Sequence, residues 1–199
     1  MRLIVATQNE SKLQEIKHIL KGVKLQIVSL NDLDREFHLR ENGKTFFDNA
    51  VKKTLPVSKS YGDDLVVGED SGLEVKRLGG KPGIYSKRYS GKNWTHEKNN
   101  QKILRELDGV KRSKRRASFH CCLVLFKGGK LVKKIDGRLN GYISNEQLGN
   151  QGFGYDPIFY VPKYRKTVAQ LSSGIKNRIS HRAIAFRTLK TSLLNNQIY

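Results

Sequence analysis

The chain has 199 residues, 38 of them Lys or Arg and 18 Asp or Glu, for a formal net charge of +20. That length can bury a sizeable core without disulfide or metal staples, and no segment has the length and apolarity of a membrane span. The N-terminus has one charge and then four apolar residues, too short a run for a signal-peptide core, so a cytoplasmic protein is expected.

Residues 2–7 (RLIVAT) read as a buried strand. From Asn9 the period becomes helical, with Leu13, Ile16 and Leu20 on one stripe. Ser11 and Gln14 have capping-box spacing, and Asn9 is the alternative cap. Residues 24–30 form a second strand. Residues 45–60 are helical, with Thr45 and Asp48 as the cap, and Pro56 is expected to kink this helix or end it early. Residues 64–75 (DLVVGEDSGLEV) read as a strand running into a turn at Ser71-Gly72, and residues 93–107 as a helix capped at Thr95. The run KRSKRR at 111–116 reads as a solvated loop. The remaining charge is dispersed, which favours polyanions, a nucleoside triphosphate being the smallest.

Residues 116–143 form a hairpin turning at Gly128-Gly129. Its adjacent Cys121 and Cys122 point to opposite faces, so neither a disulfide nor a metal clamp is expected. Residues 156–162 give a short strand, and residues 180–196 a closing helix with Ser180 at the cap. There are no repeats, low-complexity tracts or linkers. Helices alternate with strands at both ends around a central hairpin, so the expected fold is one α/β domain, 1–199, with a mixed sheet.

Several places could carry chemistry. The turn ATQNESK leads a strand into a helix, whose N-terminal N–H groups attract anions, yet it places Lys12 where the helix dipole opposes a cation. A bound phosphate would account for that; an ordinary capped helix is the alternative. The last helix repeats the pattern with His181 and Arg182 after Ser180, and Lys176 just upstream. Asn49 and Lys53 share a helix face at i,i+4, behind a loop carrying Glu41. Glu69 and Asp70 end an apolar strand, where ligands of α/β folds commonly bind. Strand geometry lets only one of them enter a given site. A carboxylate there could hold Mg²⁺ or orient a water; an N-cap or a salt bridge is the plainer role. Glycines around Phe153, Tyr155 and Asp156 allow close approach to a ligand, with rings to stack on a base, or they form an aromatic corner.

Six stretches, VATQNESKLQEI, ENGKTFFDNAVKK, GEDSGLEV, GGKPGIYSKRYSG, GFGYDPIF and KNRISHRAIAF, together resemble the inosine triphosphate pyrophosphatase family of non-canonical purine NTP pyrophosphatases, in its order and across nearly the whole chain. The resemblance implies an elongated mixed β-sheet flanked by helices, in two lobes with the nucleotide cleft between them. It implies Mg²⁺-dependent hydrolysis of ITP, dITP and XTP to the monophosphate and pyrophosphate, cleansing of the nucleotide pool, and a homodimer. On it, Thr7, Gln8, Asn9 and Lys12 belong to the phosphate-binding turn, Glu41 and Asp70 to the metal, and Asp70 and Lys53 to catalysis, Lys53 also meeting phosphate. Ser71 is a substrate contact; Phe153, Gly154, Tyr155 and Asp156 form the base loop, and Lys176, His181 and Arg182 the base-recognition group.

Gln8 departs from a Gly common in the family, Lys76 and Arg77 from acidic or small residues, and Pro56 interrupts the helix carrying Lys53. Donors at His181 and Arg182 would suit an O6 acceptor and leave groups unpaired against ATP. Two rivals remain: a basic nucleic-acid-binding protein without catalysis, and a diphosphohydrolase of other base specificity.

Overall fold

The computed structural model describes residues 1–195, without the side chain of Ser11. It contains a seven-stranded mixed sheet in the order β2-β1-β3-β4-β5-β6-β7, flanked by helices. β1 (Arg2–Val5) pairs in parallel with β2 (Gln26–Ser29) and with β3 (Leu65–Val75). β4 (Arg116–Lys127) and β5 (Lys130–Ile143) form the expected hairpin, and Gly128 and Gly129 make its turn with φ of 55° and 74°. β6 (Phe159–Val161) pairs antiparallel with β5 and with β7 (Lys166–Thr167).

The chain divides into two compact units. The first comprises Met1–Asp70, Cys121–Gly137 and the segment from Arg182 onward; the second comprises Ser71–His120 and Arg138–His181. In the first unit, α1 (Glu10–Ile19) and α5 (His181–Leu194) send Leu13, Ile16, Phe186 and Leu189 against Leu3, Val5, Leu65 and Val67. The opposite strand face carries Ile4 and Val66, packed with Val57 of α2 (Phe46–Ser60). In the second unit, Ile103 and Leu107 of the α3 region (helix His96–Glu106) join Leu73, Val75, Phe119, Ile143 and Phe159. α4 (Ser173–Ile179) is a short helix that the sequence pattern did not reveal.

The caps follow local chemistry. Asn9 caps α1 by accepting from the Lys12 N–H; the side chain of Ser11 lies outside the described residues. Thr45 and Asp48 form the expected capping box on α2, and Thr95 caps α3. α5 starts directly after Ser180; Asn196, assigned to this helix from sequence, lies outside the described residues.

Two local expectations are corrected. Pro56 neither ends nor interrupts α2, which continues to Ser60. Proline there removes the N–H that would bond the Lys52 carbonyl; both residues are exposed, so water can take that carbonyl, while buried Val57 and Ser58 hold the next turn. The chain also does not turn at Ser71-Gly72: β3 runs through them, because Leu73 and Val75 continue the buried alternation and are fully buried.

Gly68 sets how closely α2 approaches β3. A Cβ there would stand 1.9 Å from Thr54 Oγ1 and 3.4 Å from the Ala50 carbonyl. Thr54 is wholly buried and its Oγ1 donates to the Ala50 carbonyl at 2.7 Å, so moving it aside costs that buried bond. Gly68→Ala should therefore destabilise the protein by about 2–3 kcal/mol through overpacking. Urea unfolding of the single and the Gly68→Ala/Thr54→Ala double variant measures it. A double variant at least as unstable as the sum of the two singles would show that Thr54 is not the obstacle.

Candidate active site

Strand alternation on β3 sorts the two adjacent acids. Leu65, Val67 and Glu69 belong to the face toward α1 and α5, and Val66, Gly68 and Asp70 to the face toward α2. Because Gly68 brings α2 close, Asn49 and Lys53 of that helix reach Asp70. Asn49 Nδ2 donates to Asp70 Oδ2 at 3.0 Å, and Lys53 Nζ lies 3.4 Å from Asp70 Oδ1 and 2.9 Å from Glu41 Oε1. Two carboxylates thus share one buried ammonium, a net charge of −1.

The electrostatics follow from burial and neighbours. Burial raises the Asp70 carboxyl, the Lys53 charge and the Asn49 hydrogen bond pull it back, and the result stays above the usual carboxylate range. Burial works against the Lys53 ammonium, but Asp70, Glu41 and Glu69 outweigh it and hold its pKa above the ordinary value. Lys53 is a fixed positive charge and Asp70 a carboxylate with raised proton affinity.

Glu69 faces a different set. Its Oε1 accepts from Arg182 Nη2 at 3.0 Å and Nε at 3.2 Å, and pairs with Lys12 Nζ at 3.0 Å. Its Oε2 accepts from Cys121 Sγ at 3.3 Å. Arg182 Nη1 also donates to Glu15 Oε2 at 2.9 Å. Arg182 is only 4% exposed; burial works against its charge, but Glu69 and Glu15 outweigh that and raise its pKa. Two acids and two bases make this cluster neutral. Arg182 is therefore engaged inside the first unit and does not present its guanidinium as an open donor. Glu15 had no place in the sequence reading, although it lies three residues after Lys12, on the same helix face.

The turn before α1 has the expected build. The Asn9 N–H donates to Thr7 Oγ1 at 3.1 Å, and Gln8 is exposed beside them. In the second unit, Lys176 Nζ pairs with Asp156 Oδ2 at 2.5 Å and stands 4.5 Å from the centre of the Phe153 ring. Asp156 Oδ2 also accepts from the Phe153 N–H at 3.0 Å. Phe153 is the exposed ring of this loop. Tyr155 is buried, its hydroxyl donating to the Ser86 carbonyl at 2.7 Å, so its ring serves the core. The Gly154 carbonyl accepts from Asn100 on α3 at 3.1 Å. His181 stacks on Phe119, centroids 5.0 Å apart, and Ser71 is half-buried at the start of the second unit.

Gly152 is obligatory in this loop. Its φ is +81°, and a Cβ would lie 2.1 Å from Asp156 Oδ2 and 2.9 Å from Lys176 Nζ. Gly152→Ala should displace the Asp156–Lys176 pair and cost about 1–3 kcal/mol in strain and overpacking. Thermal unfolding reads the loss, and a variant as stable as the parent would contradict it.

Mg²⁺ binds through one or two protein carboxylates and keeps waters and phosphate oxygens as its other ligands. Glu41 and Asp70 fit that donor set, and their net −1 with Lys53 favours an added cation. Among the described residues no group of three or more His, Cys, Asp or Glu converges, so a cage made wholly of protein ligands is not built here.

A mixed α/β fold that presents paired carboxylates, a buried lysine and a separate ring-and-charge loop has the parts of a nucleotide phosphohydrolase. The model of the Ham1 family matches residues 3–192, so the chain belongs to that family. It is 45% identical over 199 residues to the dITP/XTP pyrophosphatase of Clostridium perfringens, covering 96% of this chain and 97% of that protein. With the dITP/XTP pyrophosphatase of Bacillus subtilis it shares 41% identity, covering 96% of each. Among solved structures, the Ham1 protein of Staphylococcus aureus superposes with a TM-score of 0.89 at 38% identity, over 98% of this chain and 100% of that one. A Ham1 protein of Coxiella burnetii gives 0.90 at 36% identity, over 98% and 99%.

Proposed function

We propose that this protein hydrolyses non-canonical purine nucleoside triphosphates, ITP, dITP and XTP, to the nucleoside monophosphate and pyrophosphate, and so cleanses the nucleotide pool. The observation that carries the reading is Asp70 held between Lys53 and Asn49 beside Glu41; the activity named for the Clostridium and Bacillus relatives supports it. Water attacks the α-phosphorus, the α–β bridging bond breaks, and pyrophosphate leaves. Asp70 orients the water and accepts its proton, a role its raised proton affinity suits. Lys53 and Lys12 neutralise phosphate charge, and Thr7, Gln8 and Asn9 offer the turn in which a phosphate sits. Mg²⁺, held by Glu41 and Asp70, would add charge neutralisation at the phosphates.

On the base side, Phe153 offers a stacking ring, Lys176 a donor and Asp156 an acceptor, with Gly154 and Tyr155 shaping the loop and His181 adding a donor. Ser71 contributes a substrate contact. The protein acts in the cytoplasm as a homodimer and has no specific nucleic-acid partner; among the described residues no helix is long and apolar enough to cross a membrane.

The deciding experiment is pyrophosphate release across a panel of ITP, dITP, XTP, the canonical triphosphates and modified pyrimidine nucleotides with Mg²⁺. Strong release from the first three and weak release from ATP and GTP is the expected result. Preference for a pyrimidine would move the protein to another base specificity, and no release at all would remove the hydrolase reading.

A further inference from the structure

Asn49 lies between two parts of the site without being an acid, a base or a phosphate ligand. It is 2% exposed, and both ends of its amide are used. Oδ1 accepts from the Gly43 N–H at 2.7 Å, and Nδ2 donates to Asp70 Oδ2 at 3.0 Å. Gly43 is two residues from Glu41, and Asp70 is 21 residues from Asn49 on another element. One amide therefore joins the loop that carries one carboxylate to the strand that carries the other.

The approach of that loop is built in. A Cβ on Gly43 would stand 2.6 Å from Asp48 Cβ and 2.8 Å from Asn49 Oδ1, so only glycine lets the loop come this close. Asp48 Oδ2 accepts from the Lys44 and Thr45 N–H groups at 3.1 and 3.0 Å, which is ordinary capping. Asn49 goes beyond capping, because its other end reaches Asp70.

The amide is directional. It fixes which Asp70 oxygen is occupied by a neutral donor, Oδ2, and leaves Oδ1 toward Lys53. Rotation of the Asp70 carboxylate would break the Asn49 bond, and withdrawal of the Glu41 loop would break the Gly43 bond. We propose that Asn49 is a positioning residue: it sets the Asp70 carboxylate and the Glu41 loop in one arrangement for the cation and the attacking water. The inference rests on the hydrolase reading above.

Two substitutions separate its two bonds. Asn49→Asp has the same size and keeps an oxygen for the Gly43 N–H, but it cannot donate to ionised Asp70. Asn49→Ala removes both bonds. Each is measured by kcat and KM for the best substrate, by thermal unfolding, and by Mn²⁺ titration of the substrate-free protein followed by EPR. Both variants should lose about 10- to 100-fold in kcat, as supporting partners of catalytic carboxylates do. Asn49→Ala should also bind Mn²⁺ about tenfold more weakly. A merely structural role would lower the unfolding temperature and leave kcat and Mn²⁺ affinity within twofold of the parent; that result in both variants overturns the proposal. If the parent itself releases no pyrophosphate, the hydrolase reading fails separately. The Mn²⁺ titration then decides Asn49 alone, and unchanged affinity in Asn49→Ala overturns it.

Discussion

Asp70→Asn should lose about 10²- to 10⁴-fold in kcat, the usual worth of a positioned general base, while the protein stays folded. Asparagine has nearly the same shape and still offers an oxygen to Asn49 Nδ2. Lys53 keeps Glu41 at 2.9 Å, so the ammonium is not stranded. Burial already disfavours the Asp70 charge, so neutralising it costs the fold little. Pyrophosphate release and a circular-dichroism melt on the same sample measure the two halves of the expectation. A rate near that of the parent would remove Asp70 from the chemistry. Loss of the melting transition would make it a structural residue instead.

Glu69→Gln should do the reverse. Strand alternation turns Glu69 to the face opposite Asp70, so the effect on turnover should be far milder than that of Asp70→Asn. The large expected effect is on stability instead. Glu69 is 7% exposed and balances Arg182, which is 4% exposed, with Lys12 on the same oxygen. Breaking a buried pair leaves an uncompensated charge and costs about 3–5 kcal/mol in general. Gln retains an acceptor and Glu15 still holds Arg182, so about 3 kcal/mol is expected. Urea unfolding reads this directly. The Glu15→Gln/Glu69→Gln double variant should deviate from additivity, since both acids serve one guanidinium. Stability within about 0.5 kcal/mol of the parent, the range of an ordinary surface substitution, would show that the cluster does not hold the unit together.

Much of the fold was legible because its signals are local. Asn9 and the Thr45/Asp48 box are short-range chemistry, the Gly128-Gly129 turn needs positive φ, and the strands follow a period of two. The opposed faces of Glu69 and Asp70 came from that same period. What faced each of them did not, because Arg182 lies 113 residues from Glu69 and no local pattern announces the pair. Arg115 shows the same limit. Within KRSKRR it looked like one more solvated cation, yet it is 5% exposed and donates to the carbonyls of Leu107, Val110 and Ser144. Pro56 misled for the opposite reason: its local cost is real, but the tertiary contacts of Val57 and Ser58 outweigh it. α4 escaped notice because seven residues beginning Ser-Gly carry too little periodicity to read.

The chain passes between the two units at 70/71, 120/121, 137/138 and 181/182. Neither unit is therefore a continuous stretch of polypeptide, and no single cut yields either one whole. Two of these passages divide neighbouring pairs in the motifs that carried the family resemblance, Asp70 from Ser71 and His181 from Arg182. A truncation series from either end should accordingly give no folded fragment equal to one unit. Assembly must close contacts that are distant in sequence, such as Glu69 with Arg182, before the first unit is complete, and late closure of this kind slows folding.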